Sequence, residues 1–187
     1  VAPCDERLSW LTGFTGSAGF CIALADVAGV FIDGRYRVQV KDQVDTDHFT
    51  PVPWPETKPA DWLKSKLTSG KIGFDPWLFT KSQIDEITEG LAGTGISLQA
   101  IDDNLVDQIW ADRPAPPLRK VEAHPIELSG QSSPEKRAQI AKILRDAGQA
   151  CTVLTLPDSI CWLLNIRGTD IARNPVVQCF AILPDDA

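Results

Sequence analysis

The stretch Phe20-Cys21-Ile22-Ala23-Leu24-Ala25-Asp26-Val27-Ala28-Gly29-Val30-Phe31-Ile32-Asp33-Gly34-Arg35-Tyr36 changes its hydrophobic period midway. Phe20 to Ala25 is a continuous apolar run. Val27-Ala28-Gly29 reads as a turn, and Val30-Phe31-Ile32 as a second short strand, so 20–32 predicts a hairpin. After Asp33-Gly34 the apolar residues Tyr36, Val38, Val40 and Val44 follow helical spacing, with Asp33 as the candidate cap. Strand period giving way to helix period within one short span is the mark of an α/β chain.

Working outward, the same alternation recurs. Residues 50–59 contain four prolines and predict an irregular loop. Trp62 to Leu67 predicts a helix, and Lys71 to Asp75 a strand. Thr80 to Leu91 predicts a helix capped by Thr80, with Ile84, Ile87 and Leu91 on one face. Ser97 to Ile101 alternates as a strand. Ala111-Asp112-Arg113-Pro114-Ala115-Pro116-Pro117 is a proline-dense linker signature. Beyond it, Ser133-Pro134-Glu135 predicts a helix start with Ser133 as cap, Ile140, Ile143 and Leu144 as its buried face, and Gly148 as its stop. Val153-Leu154, Asp158 to Leu164 and Val176 to Leu183 predict strand, helix and strand, the last with an unpaired edge.

With 187 residues the chain holds one large domain or two small ones. A phrase repeats between its halves. Trp10-Leu11-Thr12-Gly13-Phe14-Thr15-Gly16 aligns with Trp162-Leu163-Leu164-Asn165-Ile166-Arg167-Gly168, and an apolar strand follows each. Coincidence also produces so short an echo. Taken as real, it implies two copies of one α/β unit, the first lacking its opening strand and helix and the second its continuation beyond Leu183.

The net charge of −7 disfavours a binder of nucleic-acid backbone, which needs clustered Lys and Arg. No apolar run reaches membrane-spanning length, so the expected setting is cytoplasmic, with no membrane partner. His48 and His124 are the only histidines, and neither has a partner at helical spacing. A histidine metal site or a Ser–His–Asp triad is therefore hard to assemble. Cys4, Cys21, Cys151, Cys161 and Cys179 contain no C-x-x-C pair and read as structural thiols.

Three polar constellations remain. Gly13, Gly16 and Gly19 flank Ser17, but they open an apolar strand rather than a helix, which favours a tight turn over a phosphate cradle. Ser17 has neither a G-x-S-x-G elbow nor a base nearby in sequence. Asn165 to Asp170, with Asn174-Pro175, reads as turn chemistry. Arg35 stands where a helix macrodipole disfavours a cation. It is either a solvated arginine on a first turn or the partner of a carboxylate or ligand. Of the six tryptophans, Trp54, in the proline-rich loop, is the candidate for a partner surface.

Taken in order, Val1-Ala2-Pro3-Cys4-Asp5, Gly13 to Gly19, Asp33-Gly34-Arg35-Tyr36, Asp75-Pro76, Asn104 to Asp107 with Ile109-Trp110, Asp112-Arg113-Pro114, Trp162 to Gly168 and Asn174-Pro175 resemble the N-terminal half of the three-domain, cytosolic-type Xaa-Pro aminopeptidases (aminopeptidase P). The resemblance runs through essentially the whole chain. It implies two related creatinase/prolidase N-terminal-type domains, each a mixed sheet flanked by helices, in a chain truncated at both ends. The expected division is 1–112, a Pro-rich linker 113–125, and 126–187 as the front of the second domain.

In that family a C-terminal pita-bread domain holds two metal ions, usually manganese, and the enzyme releases the N-terminal residue from peptides with proline second. Its metal ligands are absent here, so this chain is expected to hold no cofactor and to have no peptidase activity alone. It would shape the substrate cleft. The implied partners are the peptide substrate, the chain's own catalytic domain and, in the parent, a second subunit. By motif correspondence Arg35 is the one substrate-binding candidate; no residue is assigned as catalytic or metal-binding. A prolidase or creatinase relative, or a non-catalytic peptide-binding module, is the alternative.

Overall fold

The computed structural model describes residues 1–187, which divide into two compact units. One comprises Glu6–Arg113; the other comprises Val1–Asp5 together with Pro114–Ala187. The first five residues thus group with the later unit.

The Glu6–Arg113 unit runs α1 (Arg7–Thr12), β1 (Gly19–Ala23), β2 (Ala28–Ile32), α2 (Gln39–Gln43), β3 (Phe49–Pro53), α3 (Pro59–Lys66), β4 (Ser69–Phe74), α4 (Lys81–Gly90), β5 (Gly95–Ala100) and α5 (Leu105–Ile109). A hairpin forms as expected, β1 pairing antiparallel with β2, but its turn is 24–27, closed by Leu24 N–H donating to the Val27 carbonyl at 2.8 Å; Ala28 and Gly29, expected in the turn, already pair in β2 with Ala23 and Ile22. Parallel pairing of β3 on the other side of β2 makes a mixed sheet, and β4 and β5 form a separate parallel pair.

β2 is central and buried on both faces. Phe31 points into a core with Val52, Ala60, Trp62, Leu63, Leu91 and Ile96. Val30 and Ile32 point the other way, onto Phe14, Val40 and Val44. This is why the strand is apolar without alternation. The capping box at Thr80 and Gln83 starts α4 as its spacing predicts.

Two expectations in this unit are corrected. Residues 50–59 are not all loop, because β3 carries Pro51 and Pro53 as an edge strand. Trp54 N–H donates to the Ile32 carbonyl at 2.9 Å. Pro51 and Pro53, of opposite parity, therefore turn their donor-less nitrogens away from β2, where no ladder bond is lost. The helix expected from Arg35 to Val44 is instead a 3₁₀ turn, Gly34–Tyr36, followed by α2. Val38, between them, is exposed. Tyr36 on one side and Val40 and Val44 on the other pack against the second core, and these anchors override helical continuity.

The other unit contains β6 (Glu122–Ala123), α6 (Ile126–Ser129), α7 (Ser133–Asp146), β7 (Cys151–Leu154), α8 (Pro157–Leu164), β8 (Ile166–Arg167) and β9 (Ala181–Pro184). β6 pairs with β8 and β7 with β9, both antiparallel. The cap of α7 is Ser132, one residue before the predicted Ser133, because the reciprocal bonds of a capping box need the glutamate at the third helical position, here Glu135. Ala141 and Lys136 line its buried face, and Ile143 is exposed. Gly148, at φ 66°, ends it as expected.

The last strand is Ala181–Pro184, so of the predicted 176–183 only the final three residues are strand. Val177 N–H donates to Cys161 Sγ at 3.4 Å and Gln178 N–H to Asp170 Oδ2 at 2.9 Å. Those amides are committed to side chains and do not join a ladder. Asp170, expected to bond its own turn, instead joins separate segments: it also accepts from Arg119 N–H at 3.2 Å.

Candidate functional site

The buried strand β2 delivers its last residue, Ile32, to Asp33, whose backbone stays extended at φ −76° and ψ 171°. Asp33 Oδ1 accepts from the Arg35 amide at 2.9 Å and so opens the 3₁₀ turn. The Arg35 side chain folds back onto the same carboxylate. Its Nη2 lies 2.6 Å and its Nε 3.0 Å from Oδ2, and Nε lies 3.2 Å from Oδ1. The guanidinium carbon sits 5.1 Å from the Tyr36 ring centroid.

Tyr36 is held in turn. Its ring meets Phe14 edge-on at 5.5 Å, and Phe14 is buried in the second core. Its hydroxyl lies 2.6 Å from Ser17 Oγ. Arg35 therefore stands at the end of a chain of contacts that begins in the core. Its side chain is 66% exposed, that of Asp33 only 19%.

Charges follow geometry. The hydrogen bond from Arg35 holds the Asp33 carboxyl below the usual carboxylate range. The bond to Asp33 pushes the Arg35 guanidinium up, and the Ser17 hydrogen bond draws the Tyr36 phenol down. Next along the chain, Arg37 Nη2 pairs with Glu56 Oε1. Both arginines after β2 are thus matched by carboxylates. The macrodipole objection to Arg35 falls away, since the turn is only three residues long and its cap supplies the counter-charge.

The glycine loop is packing, not a cradle. A Cβ on Gly19 would stand 2.9 Å from the Phe31 carbonyl oxygen, and one on Gly16 would enter the Phe14 ring. Thr15 is tied to Gln43, its amide donating to Oε1 at 3.0 Å and Gln43 Nε2 donating to its hydroxyl at 2.8 Å. Trp54 is partly exposed and meets Phe20 edge-on at 6.3 Å. No three His, Cys, Asp or Glu side chains come together to hold a metal ion, so the residues here do not fit a metal centre. No helix is long and apolar enough to cross a membrane.

Three features escape the sequence reasoning. Asp33 reads there as a cap only, not as the partner of Arg35; their two-residue separation is the available signal. Lys136 is buried, and its position four and eight residues before Ile140 and Leu144 places it on the buried face of α7. Asp107 accepts a two-pronged bond from Arg7, at 2.7 and 2.9 Å, and a third from Arg113 at 2.7 Å. Nothing in local sequence links residues 7 and 107.

Against known proteins, the creatinase/prolidase N-terminal domain family matches residues 3–109, and a second model with the same description matches 112–187. The chain belongs to the creatinase/prolidase N-terminal domain family. It is 40% identical, over 98% of its length, to a probable Xaa-Pro aminopeptidase P of Coccidioides posadasii, and equally to one of Aspergillus fumigatus. Its fold superposes on an X-prolyl aminopeptidase of Caenorhabditis elegans, described as a cytosolic enzyme with a di-nuclear active site, with a TM-score of 0.93 and 32% identity over 99% of the chain. The chain spans 29% of the length of these fungal relatives and 31% of the nematode protein.

Proposed function

We propose that this chain is the non-catalytic N-terminal portion of a metal-dependent, cytoplasmic Xaa-Pro aminopeptidase, which releases the first residue of peptides whose second residue is proline. The observation that carries the reading is the match along nearly the whole chain to the nematode X-prolyl aminopeptidase. In this reading 1–112 and 126–187 are two related domains joined by 113–125. Two divalent metal ions, manganese in the first instance, belong to a C-terminal catalytic domain, where they activate water for attack on the scissile carbonyl. That domain also carries the subunit contact of a homodimer.

Arg35 is the residue of this chain that meets the substrate. Its support is physical: an exposed guanidinium, pre-oriented by Asp33 and Tyr36, offers hydrogen-bond donors to a peptide backbone at little ordering cost. The test is hydrolysis of an Arg-Pro-Pro-type peptide by the full-length protein with manganese, for wild type and Arg35→Ala. The expected result is chelator-sensitive cleavage by wild type and a large loss in the variant with folding and metal content unchanged. Equal kinetics would remove Arg35 from the site. An inactive wild type would favour a peptide-binding module, and robust cleavage by residues 1–187 alone would overturn the non-catalytic role.

A further inference from the structure

The Asp33–Arg35 pair constrains which ligand groups Arg35 can read. Nε and Nη2 face the Asp33 carboxylate, while Nη1 makes no hydrogen bond within the protein. The fork therefore presents only its outer edge. Its charge is already balanced by Asp33, and Arg37 beside it is balanced by Glu56. The Tyr36 ring lies against the guanidinium, and the Ser17 bond fixes that ring.

We propose that Asp33 is a positioning residue that makes Arg35 a reader of a neutral peptide carbonyl oxygen rather than of a terminal carboxylate. The inference rests on the reading that Arg35 faces the substrate. A lone guanidinium favours a carboxylate, which fills both prongs of the fork and meets an opposite charge. Here the inner edge is occupied. A ligand carboxylate at the outer edge is attracted by Arg35 and repelled by Asp33 from farther away, so Asp33 weakens the attraction that a lone guanidinium would offer. A carbonyl oxygen carries no net charge to repel and needs only the outer donors. The pairing thus selects peptides that continue past the point of contact over those that end there.

The experiment compares a tripeptide with proline second as its C-terminal amide and as its free acid, in the full-length manganese-loaded protein. Arg35→Ala should lower kcat/KM for both peptides roughly tenfold, the loss of a charged hydrogen-bond donor. Asp33→Asn keeps the Oδ1 acceptor for the Arg35 amide but removes the counter-charge. It should shift the amide-to-acid ratio of kcat/KM about fivefold towards the free acid, mainly through KM. Asp33→Glu, which restores the charge, should bring the ratio back towards wild type. A ratio unmoved by Asp33→Asn, with Arg35→Ala impaired, overturns this inference and leaves the proposed function standing. No effect of Arg35→Ala overturns both. Added salt supplies a second readout: kcat/KM for the free acid should fall less with salt in wild type than in Asp33→Asn, and equal falls would overturn the proposal.

Discussion

The ammonium of Lys136 lies 2.6 Å from Asn165 Oδ1 and 2.8 Å from the Trp162 carbonyl oxygen, with the Trp162 ring centroid at 4.6 Å. A buried lysine is thus held by the C-terminal end of α8, where carbonyls lack helical partners and the helix dipole favours a cation. Lys136→Met keeps the apolar stem and leaves both oxygens without their donor. It should destabilise the protein by about 2 kcal/mol, read from urea unfolding at constant m-value.

Asn165 ends α8 in the left-handed region at φ 51°, as Gly13 ends α1 at φ 79°. These are aligned positions of the internal echo, so the repeated phrase marks two helix ends of one kind. Asn165→Gly retains the conformation and loses the hydrogen bond that Asn165 Oδ1 accepts from Lys136. Asn165→Ala loses both and should unfold about 1 kcal/mol more easily than Asn165→Gly. At Gly13 an added Cβ would also stand 2.7 Å from the Gln43 carbonyl oxygen. Gly13→Ala should therefore cost more than the conformational term alone, measured by the same unfolding assay.

Asp107 predicts the acid limb of stability. The Arg7 hydrogen bond, with Arg113 adding its charge, holds its carboxyl below the ordinary range in the folded state. A depressed folded pKa contributes stability that is complete above the unfolded value, about 3.9, and is lost as pH falls through the folded one. Asp107→Asn should lower stability at neutral pH by about 1–3 kcal/mol and flatten the decline below pH 4. Thermal unfolding of both proteins between pH 7 and pH 2 checks this.

Arg35→Ala should leave the thermal midpoint near its wild-type value, because the guanidinium stands largely in solvent, where ion pairs contribute little to folding, and Asp33 keeps its bond from the backbone N–H of residue 35. A clear drop in midpoint would make Arg35 a structural residue. The unchanged midpoint is what allows a kinetic defect to be assigned to substrate contact.

Much of the fold is legible in the chain because its signals are local. The Thr80 and Gly148 boundaries follow from capping and left-handed stops, and the 20–32 hairpin from two apolar runs around a short turn. Arg35 is visible in the sequence as a cation in an odd place. Asp33 as its counter-charge is not, because a cap and a salt-bridge partner look alike until the side chain's direction is known.

The sequence by itself determined the α/β class, the capped start of α4, the glycine stop of α7 and the family motifs, since each depends on residues within a few positions of one another. Only the tertiary structure decided that Pro51 and Pro53 sit in a strand, that Lys136 is buried, that Asp107 receives Arg7, and that Val1–Asp5 group with Pro114–Ala187. Each depends on groups from distant segments meeting: a neighbouring strand that leaves the proline nitrogens outside, carbonyls that replace water around an ammonium, an arginine one hundred positions away. Local propensity is weak beside such contacts, and where the two disagree the contacts prevail.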